Sequence, residues 1–250
     1  MGGDVDQAVA TCEELFGPYS SHGCGESRSA GNEPIHTVYL DAYYMDKYEV
    51  TNAQYNECVE AEVCEPPKQS YSHTRESYYG NPKYDKYPVI CINWYDAKTY
   101  CRWRGGRLPS EEEWEKAARD PHGRIFPWGN SFENKLNFCD KKCDMEWANN
   151  DLDDGYADTA PVGSFPEGVS LYGIHDMAGN IWEWTASWYK AYPGAEDTTD
   201  IDFGEVFKSV RGGSWRYGGS VARTNHRAKG DPLGQNNNDG FRCVKDISKE

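Results

Sequence analysis

The chain has 250 residues, of which 38% are hydrophobic and 14% aromatic, with 18 Tyr, 9 Trp and a formal net charge of −15. That acidity argues against duplex nucleic acid and anionic membranes as partners, which are bound through clustered Lys and Arg. The aromatic content argues against a disordered chain, and no apolar run approaches the roughly 20 residues of a membrane helix.

Residues 1–34 are rich in turn formers and lack periodicity. No basic and apolar leader pattern opens the chain, so the expectation is a trimmed amino terminus. Residues 35–45, IHTVYLDAYYM, alternate apolar and polar positions, which predicts a strand. Thr51 is a suitable N-cap for a helix over 52–60. Residues 65–87 read as a surface loop, and 88–92 as a brief buried strand. Asn93 caps a helix predicted over 94–104, stopped by Gly105 and Gly106. Ser110 and Glu113 form a capping box for a third helix, whose Glu111, Glu112 and Glu113 read as charges favoured at the positive end of its dipole. From residue 126 onward short aromatic phrases alternate with Gly, Pro and Asn, which predicts a coil-rich half. The stretch 211–244 is polar, rich in Gly, Arg and Asn, and flanked by two short strand-like segments, 210–215 and 240–244. A polar loop of that length is held in place for a purpose or is disordered; its anchored ends favour the former. No composition break or internal repeat divides the chain, so one domain over 1–250 is expected.

Nine Cys is a high count, and none shows the paired C-x2-C spacing with partner His of a structural zinc site. Disulfides in an oxidising compartment explain them better. Cys12 with Cys24, Cys58 with Cys64, and Cys139 with Cys143 are close in sequence, and the odd total leaves one thiol unpaired. Two segments carry oxygen donors around a Gly turn: 151–158, with Asp151, Asp153, Asp154 and Asp158, and 176–183, with Asp176, Asn180 and Glu183. Such donors suit a hard cation, although neither segment has the helix–loop–helix spacing of an EF-hand. The six His show no paired spacing. His175 reads as a packing residue, and His226 lies among arginines that disfavour its protonated form. Trp182 and Trp215 fit a core at least as well as a ligand platform, and Ser214 has no base visible in the sequence.

The phrases EVTNAQY (49–55), PVICINWYDAKTYCRWRGGRLPSEEEWEKAAR (88–119), FPWGN (126–130), APVGSFP (160–166), LYGIHDMAGNIWEW (171–184) and RGGSW with GFRC (211–243) occur in order. Together with the opening MGG, they resemble the sulfatase-modifying-factor family, whose founding member is the formylglycine-generating enzyme. The resemblance implies an α+β, coil-rich single domain related to C-type-lectin-like folds, with an opening strand before MGG that this chain lacks. It also implies two structural calcium ions. The first would be held by Asn137, Phe138, Asp154 and Tyr156; the second by Asp176, Gly179, Ile181 and Glu183, with Asn180 close by. It further implies a disulfide between Cys101 and Cys243, which makes Cys91 the candidate free thiol.

The chain departs from the family at the reacting atoms. The enzyme holds copper through two cysteines after its GGS phrase, and those positions here are Tyr217 and Ala222. Neither is a ligand for Cu(I), which selects thiolates, so no copper and no formylglycine formation are expected. The resulting expectation is an extracytoplasmic (periplasmic, cell-surface or secreted), calcium-stabilised binding or accessory protein. Its peptide, protein or small-molecule ligand would meet Trp182, Ser214, Arg216, Tyr217, Arg223, Asn225 and Asn236. Two alternatives share the scaffold: an oxidoreductase with altered chemistry on a peptide or metabolite, and a ligand-binding variable protein of a diversity-generating retroelement, to which Asn236, Asn237 and Asn238 bear some likeness.

Overall fold

The computed structural model describes residue 1, residues 34–195 and residues 200–247. Cys12 and Cys24, whose pairing the sequence suggested, lie outside the described residues. Among the described residues three α-helices pack beside a curled mixed sheet in an α+β, coil-rich arrangement. The helices are α1 (Asn52–Glu60), α2 (Trp94–Trp103) and α3 (Glu111–Arg119). Each begins at a side-chain cap that satisfies orphan backbone N–H groups. Thr51 and Gln54, Asn93 and Asp96, and Ser110 and Glu113 exchange reciprocal bonds of 2.7–3.3 Å. Trp94, Ala97, Tyr100 and Cys101 form the buried face of α2, and Gly105, at φ 76°, turns the chain out of the helix.

The strands are β1 (Tyr43–Met45), β2 (Trp182–Trp188), β3 (Lys208–Arg211), β4 (Arg227–Gly230), β5 (Asp239–Gly240) and β6 (Val244–Asp246). The main sheet has the order β4-β3-β2-β5, with β5 parallel to β2 and the other pairs antiparallel; β1 and β6 form a separate antiparallel pair.

Four predicted strands change. In 35–45 only Tyr43–Met45 forms a strand; His36 exchanges backbone bonds with Met1 at 2.9 and 3.0 Å, but Ile35 and Tyr39 stand exposed, so alternation alone did not make a strand. Residues 88–92 are buried but irregular: Cys91 has φ 60°, which breaks the extended run, and its N–H reaches the Asn236 carbonyl. The flanks of the polar stretch are strands only over Lys208–Arg211, Asp239–Gly240 and Val244–Asp246. Gly212 and Gly213, at φ 97° and 77°, end the first of these.

The core is aromatic. Tyr55 stacks on Tyr100 at 5.6 Å, and Phe241 meets both edge-on at 6.4 and 5.4 Å. Trp182, Trp184 and Val210 extend the same cluster across the sheet. Three disulfides join described residues: Cys58–Cys64 at the exit of α1, Cys139–Cys143, and Cys101–Cys243, which ties α2 to the segment before β6. Cys91 is a buried free thiol. Among the described residues no helix is long and apolar enough to cross a membrane.

Candidate functional site

The polar stretch that begins at Arg211 is held by buried arginines. Arg211 is fully buried and donates to the carbonyls of Thr224, Asn225 and His226 at 2.9, 3.0 and 2.7 Å and to Glu115 at 2.6 Å. Arg227 makes a bidentate pair with Glu111 at 2.6 and 2.7 Å. Burial works against ionisation of Glu111, but the charges of Arg227 and Arg211 outweigh it and hold its pKa below the ordinary carboxylate value. The acidic first turn of α3 therefore divides its labour. Glu113 caps the helix as expected, whereas Glu111, like Glu115 one turn on, is a buried counter-ion. Sequence separations of 116 and 96 residues hid those two roles.

Above these pairs lie the residues expected to meet a ligand. The Trp182 ring, at the start of β2, sits 5.9 Å from both Tyr217 and His226. Tyr217 is 39% exposed, so this aromatic wall reaches solvent. Gly213 admits the close approach that builds it, since a Cβ there would lie 3.1 Å from the Ala222 Cα. Ser214 is buried and its Oγ accepts from the Asn238 amide at 3.2 Å; among the described residues no base reaches it. The Trp215 ring packs at 5.1 Å from His73, which itself bonds Asp144 at 2.9 Å. His73, the rest of segment 71–76 and Asn237 line an open groove of about 450 Å³. Arg216 is half-buried, and its carbonyl accepts from Trp147 Nε1 at 2.9 Å. Arg223 and Asn225 lie on one turn, closed by the His226 N–H donating to the Arg223 carbonyl at 2.9 Å. Asn236 belongs to a different neighbourhood: its amide donates to Asp239 at 2.7 Å and its carbonyl accepts from Cys91.

The residues of the two candidate cation sites form one linked network. Asn137 donates to the Asp158 carbonyl at 2.9 Å and to Asn180 Oδ1 at 3.0 Å, which leaves its own buried Oδ1 without a partner. Asp154 accepts from the Phe138 and Tyr156 N–H groups, both at 2.8 Å. Its burial, with the charges of Asp140 and Asp153, outweighs those bonds and raises its pKa to about 7.

Around the second site, Asn180 donates to Glu49 at 2.6 Å and Asp176 accepts from Gly163 at 2.6 Å. Glu183 takes both sides of Arg242 at 2.7 Å and the Trp114 indole at 2.9 Å. Burial, then the charges of Asp176 and Glu183, push the Glu49 pKa well up, and its Oε1 has no partner. Three buried carboxylates thus face one guanidinium. Asp176 and Asn180 also hold φ of 57° and 62°, strain of the kind that clusters at functional loops. Among the described residues no three acidic, His or Cys side chains converge as a metal cage, so the carbonyls of Phe138, Tyr156, Gly179 and Ile181 would have to complete each donor set. Orphaned oxygens and excess negative charge fit an oxygen-seeking cation at both places. Glu49 is the participant the sequence reading missed; a Glu inside EVTN carried no signal of burial.

The description "Sulfatase-modifying factor enzyme 1-like domain" belongs to a family model that matches residues 9–247. The chain belongs to this family. Among its relatives, the formylglycine-generating enzyme of Mus musculus is 30% identical over 265 residues, covering 88% of this chain and 70% of that one. The inactive C-alpha-formylglycine-generating enzyme 2 of Bos taurus is 39% identical over 167 residues, covering 64% and 50%. The serine/threonine-protein kinase Pkn1 of Chlamydia trachomatis serovar L2 is 34% identical over 244 residues, covering 91% of this chain and only 37% of that protein. The chain thus spans half or less of the last two. In fold, PvdO from Pseudomonas aeruginosa superposes with a TM-score of 0.69 at 24% identity, covering 87% and 86%.

Copper chemistry of the sulfatase-modifying factor kind does not fit the residues present. Tyr217 offers a phenol on the edge of Trp182, and Ala222 is a buried methyl among Leu136, Phe138 and Ala178. The free thiol among the described residues, Cys91, belongs to another cluster with Tyr78, Tyr84 and Ile181, where burial and then Asp239 push its pKa to about 11. A thiol so shielded is a poor thiolate donor.

Proposed function

We propose that this protein is an extracytoplasmic, calcium-stabilised binding or accessory member of the sulfatase-modifying factor family that does not generate formylglycine. The observation that carries the reading is that Tyr217 and Ala222 stand where the family resemblance places its two metal-binding thiolates, on an otherwise family-like scaffold. The likeness to formylglycine-generating enzyme 2, named inactive, supports it, and the three disulfides support an oxidising compartment. The binding surface would be the wall of Trp182 and Tyr217 together with Arg216, Arg223 and Asn225, with Ser214 buried and Asn236 set apart by its bond to Asp239. Asn137, Asp154, Asp176 and Glu183, with neighbouring carbonyls, would hold the cations. A bound cation there would supply charge that satisfies the orphaned oxygens and locks the loops that carry Trp182.

The test is direct. The protein is incubated with Cu(I), oxygen and a cysteine-containing sulfatase-type peptide, and aldehyde formation is followed by mass spectrometry while copper is titrated against a Cu(I) chelator. The expected outcome is no aldehyde and no stoichiometric copper. Stoichiometric copper with peptide oxidation would overturn the proposal and favour the oxidoreductase alternative. The retroelement alternative gains little from the Asn triplet, since only Asn236 is exposed there and Asn238 is committed to Ser214.

A further inference from the structure

Among the described residues, the other buried guanidinium groups come with carboxylates. Arg211 has Glu115, Arg227 has Glu111 and Arg242 has Glu183, and the half-buried Arg75 has Asp158. Arg223 breaks the pattern. It is 5% exposed and its Nε donates to the Ser220 carbonyl at 2.8 Å. Among the described residues no carboxylate and no second acceptor meets it. Burial, with no opposing negative charge, lowers its pKa to about 10. A desolvated cation with one neutral partner is costly and is rarely left uncompensated.

A second side chain on the same turn is in the same condition. Asn225 is 8% exposed, and among the described residues its side-chain amide makes no hydrogen bond, although its backbone carbonyl accepts from Arg211. Thr224, between them, is committed elsewhere: its N–H and hydroxyl donate to the carbonyls of Ile125 and Arg124 at 2.8 and 2.6 Å. The turn ends at His226, whose ring lies 5.9 Å from Trp182. Two nine-tenths-buried polar side chains, with only the Ser220 carbonyl as acceptor between them, therefore sit on one bend beside the aromatic wall.

We propose that the turn Arg223 to His226 binds the carboxylate of a ligand lying along Trp182 and Tyr217, with Arg223 engaging it through the guanidinium fork and Asn225 through its amide. The proposal rests on the reading of this wall as a binding surface and adds the chemical class of what it takes. A planar, two-oxygen monoanion matches the fork geometry of arginine. A phosphate dianion matches less well, because a single guanidinium would face it in a chain of net charge −15.

Thermal unfolding of the intact protein, followed by tryptophan fluorescence, tests this with acetate, acetamide and chloride at matched ionic strength. Acetate is expected to raise Tm progressively with concentration, as a ligand of the native state does, with acetamide inert and chloride weaker. Arg223→Gln is expected to abolish the acetate response, and Asn225→Ala to weaken it several-fold. If Arg223→Gln does not fold, the three-solute comparison on the natural protein still decides. An acetate effect no larger than that of chloride or acetamide, or one that persists in folded Arg223→Gln, overturns the proposal. A short peptide with a free terminal carboxylate, compared with its amide, then identifies the source. Binding tenfold tighter than acetate and lost on amidation points to a peptide terminus; affinity equal to that of acetate points to a small carboxylate. Copper-dependent oxidation would refute the function proposed above while leaving the acetate response intact, so the two failures are distinguishable.

Discussion

Arg211→Met is the sharpest test of how the polar stretch keeps its shape. The guanidinium satisfies three backbone carbonyls, those of Thr224, Asn225 and His226, and one carboxylate, Glu115. At about 1 kcal/mol net per hydrogen bond, set below the range for a charged donor, the three carbonyls account for about 3 kcal/mol. The stranded carboxylate adds roughly 1–2 kcal/mol, less than for a fully isolated buried charge, because Arg119 still reaches Glu115 at 2.9 Å. The expected loss is therefore about 4–5 kcal/mol, against a typical domain stability of about 5–15 kcal/mol. Urea unfolding with the disulfides intact, followed by tryptophan fluorescence, measures it. Arg211→Lys keeps the charge but lacks the fork, and is expected to lose about half as much. Adding Glu115→Gln to Arg211→Met should recover roughly 1 kcal/mol, the share due to the stranded charge. A loss below about 1 kcal/mol for Arg211→Met would refute the argument that this arginine holds the loop.

Chelation of calcium is expected to lower Tm markedly, since a metal bound to the native state stabilises by mass action; an unchanged Tm after exhaustive chelation would remove both proposed sites. Asp239 supplies a pH dependence. Burial lifts its pKa from 3.8 to about 6, with only the Asn236 amide opposing. A raised folded-state pKa means that the native state binds more protons than the unfolded state between about pH 4 and pH 6, so this contribution to stability is present below pH 4 and lost as pH rises through 6. Asp239→Asn should accordingly gain roughly 1–3 kcal/mol at pH 7, by the conversion of a shift of about two units, and flatten the stability profile between pH 4 and 6; an unchanged profile counts against it. Gly179→Ala is expected to cost about 3 kcal/mol or more, because a Cβ there, at φ 79°, would run into the Asn137 carbonyl. A denaturation midpoint equal to that of the natural protein would show that this backbone approach is not needed.

The parts of the fold that were legible in the sequence are those fixed over a few residues. Thr51, Asn93 and Ser110 each sit three residues before a Gln, Asp or Glu, and each is a reciprocal cap in the structure. Motif order carried the family and the fold class. What stayed hidden depends on pairing across the chain. The alternation in 35–45 predicts a strand, but a strand needs an edge, and β6 supplies one only to Tyr43–Met45. Two-residue β5 pairs in parallel with β2, a contact that no local pattern announces. In the candidate site the aromatic members Trp182 and Tyr217 come together, whereas Asn236 is drawn to Asp239. Glu49 reaches Asn180 across 131 residues. A charge in a helix's first turn looks the same in sequence whether it caps, as Glu113 does, or neutralises a distant arginine, as Glu111 does.

The arrangement of the Arg223–His226 turn explains how the backbone of the pocket is held. The carbonyls of residues 224–226 are satisfied from below by Arg211, whose charge is balanced by Glu115 on α3, and β4 is pinned alongside by Arg227 and Glu111. None of these partners is the residue at position 217 or 222. The backbone of the pocket is therefore specified independently of the two side chains that, in a formylglycine-generating enzyme, would carry the metal. On the proposed reading, exchanging thiols for Tyr217 and Ala222 leaves every one of those ion pairs in place, so the cost of the exchange would fall on reactivity rather than on folding. The same separation frees the side chains of Arg223 and Asn225. Because the turn that carries them needs neither for its own hydrogen bonds beyond the single contact to Ser220, both remain available to a ligand.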